Sequence, residues 1–443
     1  MNDRNRNLAP LALAALVAAL AASGCDSSMY DFRAFDDLAD TTWVDSSSAP
    51  GDLGASFYGV GLAAGGADVD GGGAAFYVAG RRDDGFARLR FDANGNRSDD
   101  GIIRLGEIVN DPPLQALPAA PVMVGDPASE RVAVALTAGM GEEPTQSLFA
   151  LLDGTGVTPI AVANTQPITG LAFGQTNLTL GTTNLVAISG DLLTVVNDIT
   201  NPTADEPRCQ LDQPISSSLA LGDLNGGEAG LEIIVATRAD GQPGRVVALL
   251  GSVVGDANML ACFDTPSGRE PLVTLEAPGG ESDFGRQIAV GNFDGGSSDL
   301  VVTAPTGSAV YIYLNLDVTN PGTPITISAP EGAVDFGATL ALGDLDGDGR
   351  DELVVGAPGS TADGVVSAGS VFVYPIGDGG TVDEPIRFYD SQPEDNQLFG
   401  QSVAMVPFAG GSDILVVGAD NEVFTYFRTP LSDDVRSQTT DAE

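Results

Sequence analysis

Four carboxylates, Asp344, Asp346, Asp348 and Glu352, fall within nine residues of chain, interleaved with Gly347 and Gly349. Alternate acidic residues across a glycine-rich turn aim several hard oxygens at one centre, which is the ligand chemistry of calcium. Magnesium suits such a turn less well, because it demands near-ideal octahedral geometry and holds its waters. Carboxylates this close repel one another unless a cation screens them. The competing reading is that Asp and Gly serve turn geometry alone. Looser versions recur. Asp223, Asn225 and Glu232 sit in a loop one residue longer, with Gly227 at its fifth position; Asn292, Asp294 and Asp299 sit in one a residue shorter. Asp68 and Asp70 stand without later partners. The chain contains no His. That removes Ser-His-Asp and Cys-His catalysis, His-ligated zinc and the commonest general acid–base group, leaving carboxylate chemistry.

The loop at 344–352 needs two elements to hold it. Residues 338–342 and 353–355 are apolar runs rich in Val, Leu and Ala, too short for helices, so the unit reads strand, cation loop, strand. It recurs clearly at 284–305, 399–419 and 215–236, and more faintly at 58–80, 121–135 and 168–189. The loops centre near 68, 126, 182, 223, 292, 344 and 407, so six intervals average about 56 residues. A third apolar segment follows in several copies, at 246–250, 309–314, 370–374 and 422–427. Repeats of this length with three or four short strands predict an all-β fold, a seven-bladed β-propeller of four-stranded blades. Tandem β-sandwiches would need about 100 residues per repeat.

Phe-Gly at 284–285, 336–337 and 399–400, the Asp-rich loop, and Gly-Ala-Pro at 356–358 together resemble the FG-GAP repeat of the integrin α-subunit propeller and its bacterial relatives. The resemblance implies that Phe-Gly opens the innermost strand, A, that the cation loop joins A to B, and that Gly-Ala-Pro ends B. It also implies calcium as cofactor, held by the side chains of Asp344, Asp346, Asp348 and Glu352 and the carbonyl of Arg350. Glu352 stands where Asp is usual in that family. The last repeat supplies only three strands before a polar tail. The segment 35–45, containing Thr41 to Val44, is therefore expected to pair with 423–427 as the missing outer strand. In a propeller the A–B and C–D loops share one face and the B–C and D–A loops the other. The B–C loops at 356–369, 237–245 and 80–86, with the connection 251–283, are then expected to offer a partner surface, unless they only mark tolerance to insertion.

The net charge of −42, with no Lys among the 443 residues, repels nucleic acid and anionic membranes. Arg4 and Arg6 precede an Ala/Leu run at 8–22, followed by Ser23, Gly24 and Cys25. This pattern reads as a secretory signal. Small residues before a Cys resemble the lipobox of bacterial lipoproteins, which implies cleavage before Cys25 and its acylation. An ordinary signal with a chance Cys, or an uncleaved anchor, are the alternatives. In an exported chain Cys209 and Cys262 suggest a disulfide tying loop to loop; two separate buried thiols are the other possibility. The expected organisation is a signal at 1–24, a linker at 25–34, the propeller at 35–428 and a polar tail at 429–443. The expected function is non-catalytic: a monomeric, calcium-stabilised scaffold in the bacterial envelope, touching the membrane through its lipid only and binding a protein or glycan. The alternatives are an envelope-assembly scaffold and a carboxylate-dependent carbohydrate-active enzyme, since paired carboxylates suffice for sugar chemistry.

Overall fold

Each short apolar run becomes a strand, and the strands of each blade pair antiparallel in a meander. The computed structural model describes residues 272–428, except 297 and 409–411, together with the strands and many adjoining turns between 42 and 249. Residues 1–41 lie outside the described residues, and with them Cys25, the signal and linker and the start of the 35–45 segment. So do Asp68, Asp70, Asn225, Cys262 and the tail at 429–443.

The protein is an all-β, seven-bladed propeller. Blade 1 consists of Leu62–Ala64, Ala74–Ala79, Phe86–Phe91 and Arg97–Ile103. In blade 2, Val132–Ala138, Gln146–Asp153 and Gly156–Asn164 follow an inner edge shared by Leu114–Ala116 and Met123–Gly125. Blade 3 consists of Gly170–Gly174, Asn184–Ser189, Leu192–Val196 and Arg208–Gln210. Ile215–Gly222, Glu232–Thr237, Arg245–Leu249 and Val273–Glu276 form blade 4. Blade 5 is Ile288–Gly291, Asp299–Ala304, Ala309–Tyr313 and Ile325–Ser328, and blade 6 is Thr339–Gly343, Glu352–Ala357, Ser370–Tyr374 and Ile386–Phe388. Blade 7 carries Ser402–Val406, Ile414–Ala419 and Glu422–Arg428, and its sheet order adds Thr42–Ser48 beyond the last. That pairing is antiparallel, with Trp43 opposite Phe427 and Ser47 opposite Val423.

Burial follows from this radial stacking. The B strands of blades 1, 3, 4, 5, 6 and 7 are buried at every position, because neighbouring blades cover both faces of the sheet. Their centres are accordingly apolar runs, opened in blades 3 to 6 by a buried polar residue, Asn184, Glu232, Asp299 or Glu352. The outer strand Val273–Glu276 instead alternates buried and exposed side chains. Seven apolar clusters fill the seven blade-to-blade interfaces, including that between blade 7 and blade 1, where Phe76, Leu89 and Phe91 meet Val406, Ile414 and Val416.

The Phe-Gly pairs have one structural role in blades 5, 6 and 7. Phe284, Phe336 and Phe399 are buried and meet strand-C aromatics edge-on: Tyr311, then Phe372 and Tyr374, then Phe424 and Tyr426. Gly285, Gly337 and Gly400 adopt φ of 89°, 88° and 89°, and each N–H donates to a strand-B carbonyl of its own blade. A side chain at that φ is strained, so the motif needs glycine.

Two expectations need correction. Cys209 lies on a strand, opposite Leu193, because residues 208–210 complete the edge of blade 3. The stretch 251–283 is not one connection to the partner face: Val273–Glu276 within it is strand D of blade 4, paired with Arg245–Leu249. The alternating Val-Thr-Leu-Glu pattern is the physical reason, since every second residue can face a core. No helix among the described residues is long and apolar enough to cross a membrane.

Candidate metal centre

The blade 6 loop runs from Asp344 to Asp351, between strands whose register sets Gly343 opposite Glu352. Asp344 organises it. Its Oδ1 accepts the N–H groups of Gly347 at 2.6 Å and Asp348 at 3.1 Å, and its Oδ2 accepts that of Gly349 at 2.8 Å. Asp346 Oδ1 takes the N–H of Asp348 at 3.0 Å, and Asp348 Oδ1 that of Arg350 at 2.8 Å. Gly347 and Gly349 turn the chain at φ of 81° and 89°. The amides so gathered draw the three carboxylates inward: Asp344, Asp346 and Asp348 each place an oxygen within 4.8 Å of the others. Calcium–oxygen distances of about 2.3–2.6 Å allow two ligands of one ion to lie up to about 5 Å apart, so the triad could hold such an ion.

Glu352 behaves differently from the three aspartates. It is buried, and its Oε2 accepts the N–H groups of Leu345 at 2.7 Å and Asp346 at 3.3 Å. Burial, then the charges of Asp346 and Asp344, push its carboxyl up to about 9 against those hydrogen bonds. It stands outside the group of three close carboxylates. Arg350, expected to offer its carbonyl, contributes the N–H to Asp348 described above.

The same anchor recurs in the looser loops. Glu232 Oε2 accepts the N–H of Leu224 at 2.8 Å, and Asp299 Oδ2 that of Phe293 at 2.8 Å. Both are fully buried and stand opposite the last glycine of strand A, Gly222 and Gly291, so loops of different length share one hinge. In blade 5 amide donors satisfy the rest. Asn292 Oδ1 takes the N–H of Gly295, Asp294 takes those of Gly296 and the Asn315 side chain, and Asp299 Oδ1 takes that of Asn315. Burial raises Asp299 in spite of its two backbone hydrogen bonds. Asp223 in blade 4 has a buried Oδ1 with no hydrogen-bond partner, an orphaned oxygen of the kind a cation would satisfy. In blade 2 the fully buried Asp126 meets Arg131 at 2.7 Å and the Ser129 hydroxyl at 2.8 Å, so a guanidinium supplies the positive charge there.

Two residues that the sequence reading passed over bind the loops to one another. Asp351 Oδ2 accepts the N–H of Asn292, in the preceding blade, at 2.7 Å, while its own N–H donates to the Asn292 carbonyl at 2.9 Å. Asp413 repeats this with Asp344: its Oδ2 accepts the Asp344 N–H at 3.1 Å, and its N–H donates to the Asp344 carbonyl at 2.5 Å. Burial raises both carboxyls, Asp413 up to about 6, with the charge of Asp344 adding to each. The signal available in the sequence was positional: each Asp immediately precedes strand B.

The FG-GAP repeat family matches residues 336–374, which span the Phe-Gly turn, the triad and strand C of blade 6. The chain carries an FG-GAP repeat. It is also similar to integrin α chains: 31% identical to rat integrin alpha-7 over 187 residues, covering 37% of this chain and 15% of that protein. Against integrin alpha-5 of Xenopus laevis it is 38% identical over 104 residues, covering 22% and 10%. Against Drosophila integrin alpha-PS3 it is 28% identical over 160 residues, covering 32% and 14%. The chain thus spans a small fraction of the length of these curated relatives. Among solved structures, BBS1N, crystallised in complex with ARL6DN, matches with a TM-score of 0.50 at 11% identity, covering 89% of this chain and 98% of that one. A catalytically inactive virginiamycin B lyase from Staphylococcus aureus matches with a TM-score of 0.50 at 10% identity, covering 87% and 99%. At such identities these two share the propeller fold alone. Blades 5 and 7 share the Phe-Gly geometry of blade 6, without an acidic triad among the described residues.

Proposed function

We propose that this integrin α-like FG-GAP propeller is a non-catalytic binding scaffold whose blade 6 loop takes calcium through Asp344, Asp346 and Asp348. The observation that carries the reading is the convergence of those three carboxylates inside an FG-GAP repeat. Calcium supplies charge neutralisation and rigidity there, fixing the A–B turn beside a buried Glu352. The absence of His supports a binding role over a catalytic one. The partner, a protein or glycan, would use the face opposite the cation loops, where the long 358–369 connection of blade 6 lies. In this reading Cys25 carries the lipid that tethers the propeller in the bacterial envelope, and no other part of the chain enters the membrane.

The test is capture from envelope extract by the immobilised full chain, compared with a variant in which 358–369 is replaced by a short Gly-Ser turn. A component retained by the native chain and lost by the variant supports the assignment. Equal retention by both refutes the partner face. Metabolic labelling with palmitate, compared with Cys25→Ala, checks the anchor. Label that persists in the variant overturns it.

A further inference from the structure

We propose that Asp413 is a positioning residue for the blade 6 cation loop, so that cation binding in blade 6 and the docking of blade 7 form one cooperative unit. The inference rests on the calcium reading above and adds the coupling. Its basis is a reciprocal clamp. The residue before strand B of blade 7 takes the Asp344 N–H with its carboxylate and returns its own N–H to the Asp344 carbonyl. Asp344 is the residue on which the loop turns, since its two oxygens gather three loop amides. Whatever fixes the backbone of Asp344 therefore fixes the direction of its carboxylate.

The clamp is built into the chain rather than incidental. Asp351 makes the identical pair of bonds to Asn292 one blade earlier, 59 residues away, against 69 for Asp413 and Asp344. Space is cleared for both. A Cβ on Gly343 would lie 2.6 Å from Asp413 Oδ2, and one on Gly291 would lie 2.5 Å from Asp351 Oδ2. Glycine ends strand A because the next blade's carboxylate occupies the place of a side chain. At the opposite end of the same strand, Thr339 donates its hydroxyl to the Gly400 carbonyl of blade 7 at 2.7 Å. Strand A of blade 6 is thus tied to blade 7 at both ends. An ion that stiffens the 344–348 turn stiffens its clamp, and a displaced blade 7 releases the turn.

Calcium chloride titration of the full chain, followed calorimetrically, tests this together with amide hydrogen exchange. Asp413→Ala should weaken calcium binding at least about fivefold, the worth of one hydrogen bond near a charged group. Asp413→Asn, which keeps an acceptor oxygen, should stay within about twofold of the native chain. In the native chain, saturating calcium should slow exchange across 402–406 of blade 7 by about tenfold or more, while strands of blade 2 remain unchanged. The exchange measurement needs no variant, so it decides the matter even if Asp413→Ala does not fold. Calcium binding without any slowing in blade 7, or equal affinity in Asp413→Ala, overturns the coupling and leaves the calcium reading intact. An Asn variant as weak as the Ala variant overturns the hydrogen-bond clamp. No calcium binding by the native chain removes both readings.

Discussion

Asp348→Ala gives the sharpest test of the metal centre, because this carboxylate is exposed and belongs to the triad without anchoring the fold. Its Oδ1 accepts the Arg350 N–H at the loop surface. In chelator, removing it relieves repulsion from Asp344 and Asp346 and loses one solvent-accessible bond of about 1 kcal/mol, so the two effects offset. With calcium at one hundred times its dissociation constant, linkage stabilises the native chain by about 2.7 kcal/mol. An unfolding entropy of about 2.1 cal/mol/K per residue, taken over the span 42–428, gives about 0.8 kcal/mol/K, so calcium should raise the melting temperature by about 3 °C. Asp348→Ala should melt within about 1 °C of the native chain in chelator and gain less than about 1 °C from calcium. Scanning calorimetry on both proteins, with and without calcium, supplies the four melting temperatures. Equal calcium gains in the two proteins, or no gain in the native chain, would refute the assignment of the triad.

Phe336→Ala empties a fully buried site packed edge-on against Phe372 and Tyr374, and should cost about 3–5 kcal/mol in denaturant titration. A loss under about 1 kcal/mol would mean the Phe-Gly turn is not a packing anchor. Gly343→Ala drives a methyl into Asp413 and Met405, and should destabilise by about 1–3 kcal/mol by the same titration. Arg131→Met removes the guanidinium from the buried Asp126 and should cost up to about 3 kcal/mol that calcium does not restore; recovery of stability in Asp126→Asn/Arg131→Met would identify the buried carboxylate charge as the cause. Deleting residues 42–48 exposes the edge of Glu422–Arg428 and should lower the melting temperature by several degrees; an unchanged value would show that the terminal strand does not close blade 7.

Local pattern made much of this molecule legible. The seven loop positions named from repeats all fall between strands A and B of the seven blades. The apolar runs at 309–314 and 370–374 are strands C, to within a residue. The turn residues Gly347 and Gly349 sit at positive φ, as an Asp-Gly series requires. These features are encoded over a few residues by periodicity and turn chemistry, which is why a single sequence reveals them. The placement of carboxylates across blades is another matter. Nothing near Asp413 in the sequence points to Asp344, and nothing near Arg131 says that its guanidinium sits on a fully buried Asp126. Glu352 reads as one more ligand in the loop, yet its Oε2 is engaged by the N–H groups of Leu345 and Asp346. Edge strands such as Val273–Glu276 and Arg208–Gln210 are too short to announce themselves, and pairing with strand C defines them. Strands and turns follow from neighbours along the chain. The hydrogen bonds that join one cation loop to the next link residues 59 and 69 apart, and exist only once the blades have packed.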